Sequence, residues 1–410
     1  MSRYRMCPTP AQEVGLLWHC GHARFVWNLA VEQNSWWTPR RGPAPSFAAQ
    51  CRQLTEARAE CEWLRAGSQT VQQQALKDFA QAMANFFAHT HQRPTWRKAG
   101  VHEGFRIVGK RGLHWDVRRL SRRIGEVRVP KVGWVRFRWS RPVPDGVKSF
   151  RVKRDRAGRW HVAFAAIPGP VPAPGNGNAV GVDRGVTVSA ALSTGELLHA
   201  PALTDREAER LRRLQRKLAR AKRGSGRRAR LKAAIARIKA READRRRDWV
   251  EKTTTRLAAG FDVIAVEDLN VAAMTRSARG TIDAPGTGVR AKAGLNRAIL
   301  ANGWGVLVQR LQHKAPGRVI KINPRYTSQT CHACGHRAPE NRESQAVFRC
   351  VACGHRANSD VNAARNIKDT AIRDTAIKDT AVGRTVAARG ALQPPGGATN
   401  REPQPDLLPV

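Results

Sequence analysis

Residues 326–336 read Tyr-Thr-Ser-Gln-Thr-Cys-His-Ala-Cys-Gly-His, and residues 348–367 read Phe-Arg-Cys-Val-Ala-Cys-Gly-His-Arg-Ala-Asn-Ser-Asp-Val-Asn-Ala-Ala-Arg-Asn-Ile. Within them Cys331, Cys334, Cys350 and Cys353 form two CxxC knuckles separated by 15 residues. Each pair puts two sulfurs on one tight turn, with Gly335 and Gly354 directly after the second Cys. Two such turns facing each other present four thiolates in a tetrahedron, the donor set of one structural Zn²⁺. A redox dithiol or a pair of disulfides is the competing reading, and the paired-knuckle spacing favours zinc over both. His332, His336 and His355 lie nearby, but four thiolates close the site without them. Just past the second knuckle, Asp360 opens an apparent helix. A carboxylate placed beside a structural metal directs attention upstream, to acids that would work with it.

The composition says what the partner must be. The chain has 410 residues, enough for about two or three domains and a sizeable core. Lys and Arg number 73 against 32 Asp and Glu, a formal net charge of +41. Such an excess opposes compaction unless a polyanion neutralises it, and nucleic acid is the natural one. An anionic membrane surface fits less well, because the basic residues are spread along the whole chain. The N-terminal Met-Ser-Arg-Tyr-Arg-Met has no apolar leader core, and no run of about 18 apolar residues suggests a transmembrane helix. Cys7, Cys20, Cys51 and Cys61 lack ligand spacing and read as buried thiols in a reducing cytoplasm.

Taken in order, the chain first suggests a short strand over residues 3–8. Thr9-Pro10-Ala11-Gln12 has the form of a capping box and opens a helix to about residue 35. Amphipathic helices follow at about 46–65 and 68–92. The second carries Val71, Ala75, Phe79 and Met83 as a core stripe. From about 104 to 167 the period becomes two, with Val127, Val129, Val135 and Phe137 alternating with arginines. This predicts an antiparallel β unit, a small barrel with one basic face. Tryptophans interleaved with arginine, such as Trp139 and Trp160, suit a nucleic-acid groove; an ordinary solvated strand face is the alternative. A Pro/Gly linker at 168–178 closes this region.

After the linker, Val180–Val186 reads as a strand carrying Asp183 and begins a three-stranded meander. Residues 204–258 read as a basic helical hairpin broken at Gly224-Ser225-Gly226, suited to phosphate backbone. Phe261–Val266 reads as a buried parallel strand with Glu267 at its carboxyl end, where open α/β sheets place their chemistry. A loop over 270–290, a helix over 291–313 and a strand over 318–322 lead into the ribbon. Three strands, helix, strand, helix, strand, helix is the element order of an RNase H-like fold. It would bring Asp183, Glu267 and Asp360 to one sheet edge. Three carboxylates together raise one another's pKa unless a cation joins them, and two Mg²⁺ ions would serve phosphodiester hydrolysis. In that arrangement Asp183 bridges the ions. Asp268 is ambiguous, a supporting residue or a cap.

Four blocks carry a resemblance: Gly-Val-Asp-Arg-Gly (181–185), Val-Glu-Asp-Leu-Asn (266–270), Thr-Ser-Gln-Thr-Cys-His-Ala-Cys-Gly-His (327–336) and Ser-Asp-Val-Asn-Ala-Ala-Arg-Asn-Ile (359–367). They resemble the signature blocks of the TnpB (OrfB-type) transposon-encoded proteins, relatives of type V CRISPR effector nucleases. Pro-Thr-Pro-Ala-Gln (8–12) and Ala-Arg-Phe-Val-Trp-Asn (23–28) resemble that family's opening. The resemblance implies a multidomain α/β plus β architecture. A β-barrel wedge domain (1–30 and 101–170) would hold an inserted helical recognition domain (31–100). An RNase H-like RuvC nuclease domain (171–325 and 356–370) would hold an inserted zinc ribbon (326–355) that binds target nucleic acid. Outside the resemblance, residues 371–410 read as a repeat and a tail, the Pro- and Gly-rich stretch 389–410 being expected to be disordered. The family's catalytic acids carry over to Asp183, Glu267 and Asp360 with two Mg²⁺. Its zinc ligands carry over to Cys331, Cys334, Cys350 and Cys353. The implied partners are a noncoding guide RNA from the transposon end and target double-stranded DNA beside a short motif, with base pairing reading the sequence. The implied setting is the bacterial cytoplasm and nucleoid, as a monomer without membrane contact.

Three other readings remain: a nuclease-inactive RNA-guided repressor, a transposase that joins DNA strands itself, and a zinc-ribbon nucleic-acid-binding protein without catalysis. The repressor is expected to have lost an acid, the transposase role belongs to a separate protein in this family, and the third leaves Asp183 and Glu267 unexplained. The tail departs from the family pattern. Ile-Lys-Asp-Thr-Ala, Ile-Arg-Asp-Thr-Ala and Ile-Lys-Asp-Thr-Ala repeat over 367–381, in five-residue units that match neither helical nor heptad phase.

Overall fold

A computed structural model describes residues 2–38, 40, 42–166 and 168–390, with only the backbone course given for 376–390. The chain forms two compact units, Met1–Gly169 with Ala202–Arg245 and Pro170–Pro201 with Arg246–Val410.

In the first unit, β1 (Ser2–Arg5) leads into α1 (Pro10–Trp36). The capping box is present: Gln12 N–H donates to Thr9 Oγ1 at 3.3 Å and Thr9 N–H donates to Gln12 Oε1 at 3.1 Å. Helices α2 (Phe47–Glu60), α3 (Glu62–Ala66) and α4 (Gln69–Phe87) follow. Val71, Ala75 and Phe79 are buried as the stripe predicts, against Val26 and Trp27 of α1 in one core. Six strands come next: β2 (Gly104–Val108), β3 (Asp116–Arg119), β4 (Ile124–Val129), β5 (Gly133–Arg138), β6 (Ser149–Arg154) and β7 (Trp160–Phe164). They build an antiparallel sheet β1-β7-β6-β2 and a second sheet β3-β4-β5, joined by a Met6–Phe137 bridge. Among the described residues the strand pairings give two sheets where the period-two pattern suggests one barrel.

Two expectations change here. Trp160 is buried, with its indole N–H donating to Glu13 Oε1 at 3.1 Å, so its ring is core and not a stacking surface. The basic face is partly neutralised, because Glu126 on β4 takes Arg118 at 2.8 Å and Arg136 at 3.4 Å from the strands on either side. Of the four unassigned cysteines only Cys20 is fully buried; Cys7 and Cys61 are exposed. The helical hairpin is α5 (Asp205–Ala219) and α6 (Gly226–Gly260). Arg245 grips Glu207 through both guanidinium nitrogens, at 2.6 and 3.0 Å, tying the two arms.

The second unit holds β8 (Ala179–Asp183), β9 (Ala190–Leu192), β10 (Leu197–Leu198) and β11 (Val263–Glu267). Then come α7 (Val271–Met274), α8 (Val289–Asn302), α9 (Trp304–Lys314), β12 (Val319–Ile322), β13 (Val347–Arg349), β14 (Arg356–Asn358) and α10 (Ser359–Gly390). The predicted single helix over 291–313 is two helices, because Gly303 adopts φ 70°, a left-handed conformation that ends one and starts the next. The main sheet runs β10-β9-β8-β11-β12, with β9 antiparallel to β8, and β11 parallel to both β8 and β12. Val180, Val182, Ile264 and Val266 point to one core with Leu257 and Leu311. The alternate positions face α10, where Ala265 packs with Ile367 and Ala371.

The repeat expected to lack helical phase lies inside α10; of the tail expected to be disordered, Arg389 and Gly390 end α10 and 391–410 fall outside the described residues. The helix is anchored by buried Val361, Ala363, Ala364, Ile367 and Ala371. From Ile367 to Val382 the sequence contains no Gly or Pro to stop propagation.

Strand β8 and helix α10 meet backbone to backbone at Gly181, where an added Cβ would stand 1.9 Å from Ala364 O and 2.7 Å from Lys368 N. Gly181→Ala should therefore destabilise the protein by about 3 kcal/mol in denaturant unfolding. Gly305→Ala, in a helix with nothing within 4 Å, should stabilise it by roughly 1 kcal/mol. Equal effects at the two sites would refute this packing.

Candidate active site and zinc ribbon

Strand register places the first two acids. Val182 and Val266 are partners across the parallel β8–β11 pair, so Asp183 and Glu267 end neighbouring strands side by side. Side chains alternate along a strand, so Asp183 shares the face of Gly181 and Glu267 the face of Ala265, the face that α10 covers. Asp360 stands in the first turn of α10, where Asn358 Oδ1 accepts from Asp360 N–H at 3.0 Å and Val361 N–H at 3.2 Å. All three acids line one cleft of about 320 Å³, with Arg184, Thr187, Thr327, Arg342 and Gln345. Among the described residues, only the four-cysteine cluster brings three or more such ligand atoms all within 4.8 Å of one another. The three acids share the cleft without meeting that closely.

The electrostatics follow from burial. Asp183 is pushed up to about 7, first by burial and then by the charges of Glu267 and Asp360. Burial also raises Glu267 and Asp360, opposed by Thr327 and Arg184 in the first case and by Arg342 in the second. The Thr327 hydroxyl donates to Glu267 Oε1 at 2.7 Å, and buried Arg184 donates to the Glu267 carbonyl. Arg342 Nη2 lies 3.6 Å from Asp360 Oδ1. Asp268, ambiguous in sequence, pairs instead with Lys321 at 3.0 Å. Thr327, Arg184 and Arg342 were not singled out by sequence reasoning as site residues. Thr327 and Arg184 do lie inside the signature blocks, whereas nothing local marks Arg342.

The ribbon is built from the two knuckles. Gly335 N–H donates to Cys331 O at 2.9 Å and Gly354 N–H to Cys350 O at 3.0 Å, with φ of 76° and 72° at the glycines. The Sγ atoms of Cys331 and Cys353 are 3.8 Å apart and those of Cys334 and Cys350 3.6 Å. A tetrahedron of Zn–S bonds has edges of about 3.8 Å, so the four sulfurs fit that ion. Backbone amides of Cys353 and Ala352 lower the Cys350 thiol to about 6, favouring the thiolate. Buried Asn341 ties the knuckles together, donating to Gln329 O and His336 O and accepting from Val351 N–H. Two turns of α10 hold the ribbon in place. Asn362 Nδ2 donates to Thr330 O at 2.8 Å, and Asn366 Nδ2 donates to Thr327 O at 2.9 Å and Thr330 O at 2.7 Å.

Comparison with known proteins places this geometry in a family. A model described as Cas12f1-like TNB domain matches residues 304–367, one described as probable transposase matches 152–278, and one described as helix-turn-helix domain matches 2–42. In the structure the described part of the last span contains β1 and the long helix α1. A candidate RNA-guided DNA endonuclease, InsQ, of Escherichia coli strain K12 is 35% identical over 376 residues, 89% of this chain and 90% of that protein. A candidate RNA-guided DNA endonuclease of Streptomyces pristinaespiralis is 31% identical over 376 residues, 89% of this chain and 87% of that protein. A Cas12f1–sgRNA–target DNA complex, solved by cryo-EM, is 14% identical with a TM-score of 0.49, over 87% of this chain and 82% of that one. With full-length relatives at this identity, the chain belongs to the TnpB (OrfB-type) family of transposon-encoded proteins.

Proposed function

We propose that the chain is an RNA-guided DNA endonuclease whose catalytic acids are Asp183, Glu267 and Asp360. The observation that carries the reading is the one cleft lined by three carboxylates drawn from distant parts of a chain of net charge +41. The sheet order β10-β9-β8-β11-β12 supports an RNase H-like, RuvC-type core. The two sheets of the first unit then serve as the wedge, and α2–α4 as the recognition helices. Guide RNA and target DNA supply the anions that the net charge calls for.

Asp183, Glu267 and Asp360 offer only oxygen donors, and a raised Asp183 in a buried acid cluster calls for a cation, so the set fits Mg²⁺. When bound, two Mg²⁺ ions supply activation of water and stabilisation of the leaving 3′-oxygen. Asp183, Glu267 and Asp360 are the residues that would hold them. Thr327 fixes the rotamer of Glu267 through its 2.7 Å hydrogen bond and holds its charge. Arg342 brings a guanidinium to the Asp360 side of the cleft, where it would meet a phosphate oxygen of the cut strand. Cys331, Cys334, Cys350 and Cys353 would hold zinc and so keep Thr327 and Arg342 in register.

The test is co-expression with the native flanking DNA, sequencing of the copurified RNA, and incubation with a guide-matched plasmid library in Mg²⁺ or EDTA. Guide-dependent cleavage in Mg²⁺ alone is expected; guide-dependent binding without cleavage would make the chain a repressor. Asp183→Ala should abolish cleavage and leave RNA binding within about twofold, and retained cutting would remove the assigned site. Thr327→Val should slow cleavage by about 10-fold to 100-fold with RNA affinity unchanged; a wild-type rate would deny Thr327 its role. Cys350→Ser should lower zinc content, measured by atomic absorption, and lower the melting temperature; full zinc content would reject this ligand set.

A further inference from the structure

The block Ala-Arg-Phe-Val-Trp-Asn at 23–28 has no part in the cleft, yet its last two residues converge on one arginine. Asn28 clamps the backbone of Arg97 from both sides: its Nδ2 donates to Arg97 O at 3.1 Å and its Oδ1 accepts from Arg97 N–H at 2.8 Å. The Arg97 guanidinium then lies over the Trp27 ring, 3.6 Å from its centroid. The ring itself is fixed, because Trp27 Nε1–H donates to Thr95 O at 2.9 Å. A guanidinium held this firmly normally has an acceptor. Among the described residues that of Arg97 has no hydrogen-bond acceptor and no ion-pair partner, and burial pulls its pKa down to about 10.

The surroundings lack the anion as well. Arg97 opens onto a cavity of about 180 Å³ that Arg151, Lys153, His102 and Glu103 also line. Glu103 is already committed: Arg24 Nη1 reaches both its oxygens at 3.0 Å and Gly100 N–H donates to it at 2.5 Å. Asp78 is shared between Arg151 at 2.7 Å and Arg106 at 3.9 Å, and acts on Arg97 only through space. Lys153 is exposed and has no partner among the described residues. His102 Nδ1 accepts from Lys98 N–H at 2.9 Å, so it contributes no counter-charge.

We infer that this cavity is a phosphodiester-binding subsite, in which Arg97 stacked on Trp27 and the flexible Lys153 take the oxygens of one backbone phosphate. A planar, pre-positioned guanidinium suits a phosphate fork, and the exposed Lys153 side chain lining the same cavity closes on it as a point charge. The inference rests on the nucleic-acid reading above, and the strand that supplies the phosphate is either the guide RNA or the target DNA.

The experiment uses the full chain, with and without its copurified RNA, and Lys153→Ala and Arg97→Gln variants. Filter binding over a potassium chloride series is run with the labelled transcript on the RNA-free chain and with guide-matched duplex DNA on the RNA-loaded chain. Each variant should weaken binding by about threefold to tenfold in one arm, and lower the salt slope there by about 0.7 to 0.9. A shift in the RNA arm assigns the phosphate to the guide, and a shift in the DNA arm assigns it to the target. Lys153 carries the test if Arg97→Gln fails to fold, since its exposed side chain supports nothing. Unchanged affinity and slope in both arms, with the parent chain binding normally, would overturn the subsite alone. A parent chain that binds neither RNA nor DNA would overturn the subsite together with the nucleic-acid reading.

Discussion

The second unit depends on a backbone-to-backbone contact. Helix α10 lies so close to β8 at Gly181 that no side chain fits between strand and helix. Small residues on both partners, Gly181 and Ala265 below and Ala364 above, allow it. The alternation of a strand then does the rest. Two residues beyond each small position stand Asp183 and Glu267, on the face that α10 covers. The first turn of that helix carries Asp360 to the same cleft. Packing and acid placement are thus one constraint, and a bulkier residue at 181 would displace an acid as surely as it would strain the core.

The ribbon is bound into the same constraint. Asn362 and Asn366 sit one helical turn apart on α10 and hold the backbone of Thr327 and Thr330. That turn delivers the Thr327 hydroxyl to Glu267, while the loop between the knuckles delivers Arg342 to Asp360. The four sulfurs differ from the acids in role, but the segments they organise bring a hydroxyl to Glu267 and a guanidinium to Asp360. A structural metal would therefore act on the cleft through hydrogen bonds and not through its own charge.

The parts of this arrangement that sequence revealed are those written in short spacing or strict alternation. The CxxC pairs, the acid at each strand end and the capping box at Thr9 each need only a few consecutive residues to be read. What escaped depends on distant partners. Gly181 is one glycine among many until Ala364 is laid against it, and Arg342 is one arginine among dozens until Asp360 is beside it. Trp160 looked available because alternation cannot say which face is covered, and the arginine face looked uniform because Glu126 pairs across strands. The five-residue repeat misled for a different reason. A helix already anchored by buried residues continues through any stretch without a breaker, whatever its own period.

The pairing of β1 with β7 has a consequence for how the chain is made. The first strand finds its neighbour only after residue 164 has been synthesised, since Ser2 pairs with Phe164. Likewise β8 must wait for α10, which begins at Ser359, before its open face is covered. Both units are closed by sequence-distant contacts, so each exposes apolar strand surface on the ribosome until its last element emerges. The cleft is completed by α10, which follows every other element that lines it. A chain released before α10 would carry Asp183 and Glu267 without Asp360, with its basic surface in place but the cleft incomplete. Translation order itself thus withholds the third acid until the rest of the cleft has been made.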